Sequence, residues 1–347
     1  MKIGNRDIGV GHRPYLIAEM SGNHNQSLDR ALAIVDAAAK SGSDAIKLQS
    51  YTAETMTLNT RAPGFVVEDP ASPWVGRQLF DLYREAHTPW DWHEPIIRRA
   101  AQHGLHCFST PFDDTAVDFL ESLDVPAYKI ASFENTDLPL IRKVAATGKP
   151  MVISTGMATV AEIAEAVACA KEAGCSDLVL LKCTSTYPAS PENTNIRTIE
   201  NMRETFGCEV GLSDHTMGCG VAIAAVAMGA VMIEKHFTLR RSDGGVDASF
   251  SLEPEEFAMM RVETDRAWQA IGEVCYGGTK DEESSRAFRR TLYVSANINA
   301  GECLSSANIR LVRPGFGLAP KYYDIVIGKR VNRDVPVGTP VSWDLIA

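Results

Sequence analysis

The chain has 347 residues, of which 45% are hydrophobic and 22% are charged, and its formal net charge at pH 7 is −10. This size and composition predict a globular protein with one large domain and a second, smaller one. The acidic balance argues against a general nucleic-acid-binding protein, and no apolar run approaches the length that a membrane span requires.

Along the chain, the hydrophobic pattern predicts eight short strands that alternate with helices. The predicted strands are 15–19, 44–49, 106–110, 127–132, 151–155, 178–183, 210–213 and 231–235. The predicted helices are 28–40, 77–86, 91–103, 114–123, 138–146, 160–173, 196–206, 218–229 and 254–271. Eight β/α units within about 275 residues are typical of an α/β fold of the (β/α)8 TIM-barrel type. A doubly wound sheet is the alternative, but SGNHNQS stands where such a sheet carries its GxGxxG motif.

Two segments depart from this β/α pattern. Residues 52–75 form a long irregular stretch with three prolines, which predicts a functional or mobile loop. From residue 286 the chain has short alternating apolar runs with frequent Gly and Pro, which predicts a small, β-rich domain. The predicted organisation is therefore a barrel domain, 1–276, a linker, 277–285, and a β-rich domain, 286–347.

Two histidines stand at the ends of the last two predicted strands. His215 follows the strand 210–213, and His236 follows the strand 231–235. Because the C-terminal ends of parallel strands lie side by side, the two imidazoles are expected to face one another. Such a site, with open positions for water and substrate, favours a divalent ion such as Mn²⁺ or Mg²⁺ over structural zinc. The alternative is a pair of histidines that only pack.

The alternation of side chains along each strand assigns several polar residues to the barrel interior. In AIKLQ (45–49) the isoleucine and the leucine are expected to pack on helices, so Lys47 and Gln49 point inward. In YKIAS (128–132) the same argument turns Lys129 inward. The other polar residues that alternation turns inward are Ser213, His215, Glu234 and His236.

Hydroxyl side chains stand at the ends of the third to seventh predicted strands. They are Thr110, Ser132, Ser154, Ser185 and Ser213. Together with two inward lysines, such a ring suits a ligand that carries both a phosphate and a carboxylate. The alternative is a buried pairing of the lysines with Glu19 and Glu234, because a buried ammonium needs a partner.

Other features bear on the walls of the site and on the compartment. Tyr51, Phe112 and Tyr187 follow strand ends, where they either line a sugar site or pack in the core. The eight cysteines include no CxxC pair, and the N-terminus has no apolar signal-peptide core. Reduced thiols in a cytoplasmic protein are therefore expected.

Motifs along almost the whole chain resemble those of the sialic acid synthase family. They are IAEMSGNHNQSL (17–28), DAIKLQSYTAETMTL (44–58), FSTPFD (108–113), YKIASFE (128–134), ISTGM (153–157), CTSTYP (183–188), GLSDHT (211–216), EKHFTL (234–239) and RPGFGLAPKY (313–322). Three segments are most similar to the branch of that family that makes pseudaminic acid. They are SGNHNQSL, GGVDASFSLEPEEF (244–257) and the tail GFGLAPKYYDIVIGKR.

The resemblance implies a (β/α)8 barrel followed by a small antifreeze-like (SAF) domain. Members of the family condense phosphoenolpyruvate with an N-acetylated aldose to give a nine-carbon 2-keto acid and phosphate, which is a C–C bond-forming transferase reaction. In the pseudaminic branch the aldose is 2,4-diacetamido-2,4,6-trideoxy-L-altrose. The resemblance also implies a divalent metal on His215 and His236, and a domain-swapped homodimer in which each SAF domain covers the barrel mouth of the other subunit.

Individual residues take roles from the same resemblance. The resemblance places seven residues at the phosphate and carboxylate of phosphoenolpyruvate: Lys47, Thr110, Lys129, Ser132, Ser154, Ser185 and Ser213. At the position of Ser185 the sialic branch tends to have Asn. The resemblance places six residues around the aldose: Gln49, Phe112, Glu134, Tyr187, Asp247 and Arg313. Arg313 is expected to act across the dimer. Glu19 is expected beside the reacting carbons, where it and Glu134 supply acid–base catalysis. The 59–76 segment differs from the sialic branch and receives no assignment.

Several other functions stay open on the sequence alone. A sialic or legionaminic acid synthase would use a different N-acetylated aldose on the same barrel. A Schiff-base aldolase would use Lys129 or Lys47 as its nucleophile. A metal-dependent hydrolase would carry an HxH pair after the first strand, where only His24 stands. A non-enzymatic protein would use its C-terminal domain to bind carbohydrate or ice, but the predicted buried charges argue for catalysis.

Overall fold

Eight parallel strands close into a barrel, which confirms the predicted fold class. The computed structural model describes residues 1–70 and 72–347. A short N-terminal hairpin of β1 (Lys2–Ile3) and β2 (Arg6–Asp7) precedes the barrel. The barrel strands are β3 (Tyr15–Glu19), β4 (Ala45–Ser50), β5 (His106–Pro111), β6 (Tyr128–Ile130), β7 (Met151–Ser154), β8 (Leu178–Cys183), β9 (Glu209–Asp214) and β10 (Met232–His236). Each pairs with the next along the chain, and β10 closes the circle on β3.

Helices follow the strands and cover the outside of the barrel. They are α1 (Leu28–Lys40), α2 (Ala53–Met56), α3 (Leu79–Ala86), α4 (His93–Gln102), α5 (Asp114–Ser122), α6 (Leu138–Ala145), α7 (Val160–Glu172), α8 (Thr198–Phe206), α9 (Gly220–Ala227) and α10 (Pro254–Ile271). Helix α1 has the local signals that predict a helix from sequence. The Ser27 side chain caps it by accepting from Arg30 N, and its buried residues recur at helical spacing. No helix among the described residues combines the length and the apolar character needed to cross a bilayer.

The interior of the barrel changes character along each strand. At the N-terminal end it is filled by an apolar cluster that includes Tyr15, Ile17 and Phe108, and Ile3 of the β1–β2 hairpin belongs to it. A second apolar cluster lies between the strands and the helices. Alternation along 231–236 predicts that Val231 faces outward with Ile233, but Val231 precedes β10 and belongs to the interior cluster. Polar side chains replace the apolar filling toward the C-terminal ends of the strands, and this arrangement places the site there.

The chain divides into two units, Met1–Ile271 and Gly272–Ala347. The second unit contains an antiparallel pair, β11 (Thr291–Val294) and β12 (Ile309–Val312), and one short helix, α11 (Tyr323–Val326). Several isolated bridges extend its β structure, and a separate apolar core that includes Leu292, Leu304 and Val341 stabilises it. The predicted linker, 277–285, lies inside this unit and contains the 3-10 turn Lys280–Glu282.

Candidate active site

Two lysines and two glutamates meet inside the C-terminal end of the barrel. Lys47 on β4 and Lys129 on β6 are 3% and 2% exposed. Lys47 Nζ lies 2.5 Å from Glu19 Oε2 and 3.6 Å from Glu234 Oε1. Lys129 Nζ donates to Glu234 Oε1 at 3.0 Å. The pairing that the sequence left as an alternative to an anion site is therefore present, and it balances two positive charges with two negative ones.

Several hydrogen-bonding groups of this cluster have no partner in the described part of the chain. An ammonium group has three donors, and Lys129 Nζ donates only to Glu234 within the described chain. Glu234 Oε2 and Ser154 Oγ are buried without a hydrogen-bond partner among the described residues. Burial raises the pKa of Glu19 to about 7, against the opposing charge of Lys47, and burial lowers the pKa of Lys129. The cluster can therefore exchange partners with an incoming polar ligand instead of forming a closed network.

Hydroxyl groups surround the cluster, as the strand-end positions predict. Thr110 Oγ1 accepts from Lys47 Nζ at 3.1 Å, and Ser213 Oγ donates to Glu234 Oε1 at 3.4 Å. Ser154 is 1% exposed on the neighbouring strand β7. Three of the predicted hydroxyls thus lie in the interior with the two lysines.

The other two predicted hydroxyls pack closely against Gly156, which follows β7. Gly156 N donates to Ser132 Oγ at 3.1 Å, and Asn135 Nδ2 donates to Gly156 O at 3.1 Å. A Cβ atom on Gly156 would collide with Ser185 Oγ and would lie 2.7 Å from Ser132 Oγ. Only glycine lets both hydroxyls approach the backbone this closely, and we call Ser132, Gly156 and Ser185 together the hydroxyl cradle.

The two predicted metal ligands face one another. The ring centroids of His215 and His236 lie 5.4 Å apart at an interplanar angle of 62°. His215 Nδ1 donates to Thr184 O at 2.9 Å, so in the neutral form of this imidazole Nε2 is the acceptor. His236 Nδ1 is buried without a hydrogen-bond partner among the described residues, and it lies 3.8 Å from Asp247 Oδ2.

The charge state of His236 also suits a metal ligand. Burial, together with the positive charges of His215, Lys47 and Lys129, lowers the pKa of His236 well below its usual value. The imidazole is therefore neutral at pH 7, which is the form that binds a metal. Within residues 1–70 and 72–347, no group of three or more His, Cys, Asp or Glu side chains could hold a metal. Two facing imidazoles, one with an unpartnered buried nitrogen, are the donors that the described residues offer to a metal here.

Aromatic rings enclose this pair of histidines. The Tyr187 ring lies 4.3 Å from that of His215, and the Phe250 ring lies 5.0 Å from that of His236. The Trp74 ring lies 5.9 Å from that of Tyr187. Such walls limit the access of water to the imidazoles and leave the approach from the barrel mouth.

A cavity of about 580 Å³ lies at this mouth. Its lining includes the predicted sugar-binding residues Gln49, Phe112, Glu134, Tyr187 and Asp247, and also His236 and Ser185. Gln49 Nε2 donates to Glu19 Oε1 at 3.1 Å, so the cavity adjoins the charged cluster. The remaining predicted sugar-binding residue, Arg313, belongs to the second unit and is exposed there.

Two carboxyl groups in the cavity have perturbed pKa values. Burial, with a contribution from Asp137, raises the pKa of Glu134 to about 7, and Glu134 Oε2 has no hydrogen-bond partner in the described chain. Burial also raises the pKa of Asp247, which accepts a hydrogen bond from Ser21 Oγ. A carboxyl group that titrates near neutral pH can both give and take a proton.

Glu234 lies within reach of both lysines, as the pairing that the sequence leaves as an alternative predicts. Two other residues of the site receive no role from the sequence. Ser21 adopts a positive φ of 46° just after β3 and reaches Asp247, 226 residues along the chain. Trp74 closes the cavity from a segment without periodic pattern, so no local signal pointed to it.

Known proteins share this architecture. Residues 34–276 match the NeuB family, and residues 289–347 match the SAF domain. The chain is 42% identical over 338 residues to the pseudaminic acid synthase of Campylobacter jejuni, and the match covers 97% of each chain. It is 40% identical over 332 residues to the pseudaminic acid synthase of Helicobacter pylori, covering 95% of this chain and 97% of the relative.

A solved structure extends the likeness to three dimensions. The N-acetylneuraminic acid (sialic acid) synthetase of Leptospira borgpetersenii superposes with a TM-score of 0.74 at 29% identity. The match covers 82% of this chain and 94% of that one. The chain therefore belongs to the NeuB family, the sialic acid synthases that its motifs resemble, and it carries a C-terminal SAF domain.

Proposed function

We propose that this chain catalyses the reaction of a pseudaminic acid synthase. It condenses phosphoenolpyruvate with 2,4-diacetamido-2,4,6-trideoxy-L-altrose and releases phosphate, which makes it a C–C bond-forming transferase. One observation supports the proposal most directly: a cluster of lysines and hydroxyls lies next to a sugar-sized cavity in the same barrel mouth. Likeness to pseudaminic acid synthases over nearly the whole chain supports this choice of aldose.

Phosphoenolpyruvate occupies the charged end of the site in this proposal. Its phosphate and carboxylate take the place of the carboxylates that now pair with Lys47 and Lys129. The hydroxyl groups that complete the anion site are Thr110, Ser132, Ser154, Ser185 and Ser213. The hydroxyl cradle and the buried, unpartnered Ser154 Oγ support this assignment.

The aldose lies in the adjoining cavity among Gln49, Phe112, Glu134, Tyr187 and Asp247. C3 of phosphoenolpyruvate attacks the aldehyde carbon of the open-chain sugar, and the new C–C bond leaves positive charge at C2. Water then adds at C2, and the C2–O bond to phosphate breaks to give the 2-keto acid.

Two carboxyl groups serve these proton transfers. Glu19 accepts the proton of the attacking water. It lies 2.5 Å from Lys47, at the charged end where phosphoenolpyruvate is proposed to bind. Glu134 exchanges a proton with the aldehyde oxygen from the sugar cavity. A pKa near 7 lets each group change its protonation state at neutral pH.

We further propose that His215 and His236 hold a divalent cation, Mn²⁺ or Mg²⁺. Two facing imidazoles, one neutral and without a hydrogen-bond partner among the described residues, support this assignment. Such an ion, when bound, would act as a Lewis acid toward the aldehyde oxygen. Asp247 lies beside His236 and would orient its ring.

The assembly and compartment follow the family pattern in the same proposal. The enzyme is a domain-swapped homodimer in which Arg313 of each SAF domain completes the sugar site of the other subunit. It works in the cytoplasm, and its eight cysteines, all unpaired in the structure, support a reducing compartment.

The proposal is tested by measuring phosphate release from phosphoenolpyruvate with a panel of aldoses, with and without EDTA. We expect 2,4-diacetamido-2,4,6-trideoxy-L-altrose to support the highest kcat/KM, and EDTA to abolish turnover until Mn²⁺ or Mg²⁺ is restored. A preference for the aldose of a sialic or legionaminic acid synthase would replace the proposed substrate. Turnover that survives EDTA, with borohydride trapping of substrate on a lysine, would instead identify a Schiff-base aldolase.

A further inference from the structure

The cavity at the barrel mouth has a polar inner end and an apolar outer wall. Gln49, Glu134, His236 and Asp247 form the polar end, near the C-terminal ends of barrel strands. The segment between β4 and α4 supplies the apolar side. We call its aliphatic and indole members the outer wall, which consists of Met56, Val67, Trp74, Leu79 and Leu82.

Backbone pairing holds the outer wall in place. Residues 65–70 and 72–79 pair as a hairpin, in which Val67 N donates to Arg77 O at 2.9 Å and Gly76 N donates to Val67 O at 2.8 Å. Val66 and Gln78 form an antiparallel bridge in the same hairpin. The described part of the stretch 52–75, which the sequence predicts as an irregular loop, therefore includes paired backbone.

Trp74 fastens the hairpin across the cavity. Its Nε1 donates to Val246 O at 2.9 Å, which ties the hairpin to the segment that carries Asp247. Because this N–H is already used, the outer wall offers no free hydrogen-bonding side chain among its five members. The polar residues that line the cavity from the same segment, outside the outer wall, are Tyr51, Asp69, Ser72 and Tyr83.

The chemistry of the reaction orients the aldose in this cavity. Its aldehyde carbon must approach phosphoenolpyruvate, whose proposed binding groups, Lys47 and Lys129, lie inside the barrel. The carbon at the opposite end of the open chain, C6, must then point outward. The outer wall comes from the α2–α3 segment rather than from strand ends, so in this proposal Met56, Val67, Leu79 and Leu82 face C6, while Trp74 also reaches Tyr187.

We propose that the outer wall binds the C6 methyl group of a 6-deoxy aldose and thereby selects it over aldoses with a hydroxyl at C6. This inference rests on the proposed function and deepens it by naming a specificity determinant. A C6 hydroxyl facing these side chains would lose its hydrogen bonds to water without replacement. Discrimination by such a wall is about 10- to 100-fold in kcat/KM.

The test compares two aldoses that differ only at C6, the 6-deoxy sugar and its 6-hydroxy counterpart. The full-length enzyme is assayed for phosphate release as wild type and with Val67→Thr or Met56→Gln, which place a polar group in the outer wall at nearly constant shape. Matched controls are Val75→Thr and Leu58→Gln, since Val75 and Leu58 are 52% and 66% exposed and do not line the cavity.

We expect the wild type to prefer the 6-deoxy sugar and each wall variant to lower that preference by roughly 3- to 10-fold. The controls should keep the wild-type ratio, and KM for phosphoenolpyruvate should stay unchanged in all four variants. Val67 and Met56 lie on different elements, so a fold defect in one variant, seen as a lower Tm, leaves the other informative.

Two results would overturn the inference while the proposed function stands. One is equal kcat/KM of the wild type for both sugars. The other is a wild-type preference that the wall variants retain or that the controls lower to the same extent. If the wild type released no phosphate with any aldose, the proposed function and this inference would fail together.

Discussion

Gly156 is the residue at which one added carbon atom tests the proposed phosphoenolpyruvate site. An alanine here would place its Cβ against Ser185 Oγ and 2.7 Å from Ser132 Oγ, so both hydroxyls would have to move. We expect Gly156→Ala to raise KM for phosphoenolpyruvate by roughly 10-fold or more, because small displacements of binding groups have large kinetic effects. Gly220→Ala, at the start of α9, is the control, since no atom lies within 4 Å of its added Cβ. An unchanged KM in Gly156→Ala would remove the hydroxyl cradle from the site.

Glu134 links the site to a measurable dependence of stability on pH. Its pKa rises from about 4.5 to about 7 on folding because it is buried. The folded state therefore holds this proton more tightly than the unfolded chain does. The resulting contribution to stability is complete below pH 4.5 and is lost as the pH rises to 7.

We accordingly expect Glu134→Gln to become more stable relative to wild type by about 2–3 kcal/mol between pH 5 and pH 8. The free energy of unfolding in urea, measured at both pH values, gives this difference. Glu200→Gln, at an exposed position, should shift by the same amount at both pH values. A Glu134→Gln difference that does not change with pH would show that Glu134 is not the titrating group.

At the scale of elements, a buried ion pair connects the two strands that carry the histidines. Lys235 Nζ on β10 donates to Asp214 Oδ2 on β9 at 2.6 Å, and both side chains are 0% exposed. Asp214 Oδ1 also accepts from Thr216 N at 2.9 Å, which fixes the turn that contains His215. The pair lies on the strand face opposite His236 and holds the register of both strands.

Lys235→Met should leave Asp214 buried without its partner and lower the free energy of unfolding by about 3–5 kcal/mol. The double variant with Asp214→Asn should recover part of that loss, because the uncompensated charge is gone. Lys40→Met, at an exposed position at the end of α1, is the matched control and should cost less than about 0.5 kcal/mol. Equal small losses for Lys235→Met and Lys40→Met would contradict a structural role for the pair.

The elements that the sequence predicts well are those with local signals. Strand β3 and helix α1 have the predicted bounds, because alternation, caps and helical spacing lie within each segment. The inward lysines follow from the same alternation. The hairpin of residues 65–70 and 72–79 could not be predicted, since its position depends on Trp74 contacting Val246, 172 residues away. The pairing of Lys47 with Glu19 and of Lys129 with Glu234 is likewise a tertiary property, because alternation shows only that these side chains point inward.

At the scale of the whole molecule, the proposed dimer makes the active site a shared structure. An Arg313→Ala subunit keeps an intact barrel, and a His236→Ala subunit keeps an intact SAF domain. If Arg313 acts across the dimer, mixing the two inactive variants should restore activity at one site of each heterodimer, or about a quarter of all sites. Phosphate release after subunit exchange measures this rescue. Heterodimers without activity would show that each site uses its own Arg313 or none.

The central claim is that this barrel mouth joins one phosphoenolpyruvate to one N-acetylated aldose. The most direct measurement is the stoichiometry of the reaction, with phosphate determined by assay and the sugar product by mass spectrometry. We expect one nine-carbon 2-keto acid for each phosphate released, and no phosphate when 2,4-diacetamido-2,4,6-trideoxy-L-altrose is omitted. Phosphate release that does not require the aldose, or that exceeds the keto acid formed, would contradict the claim.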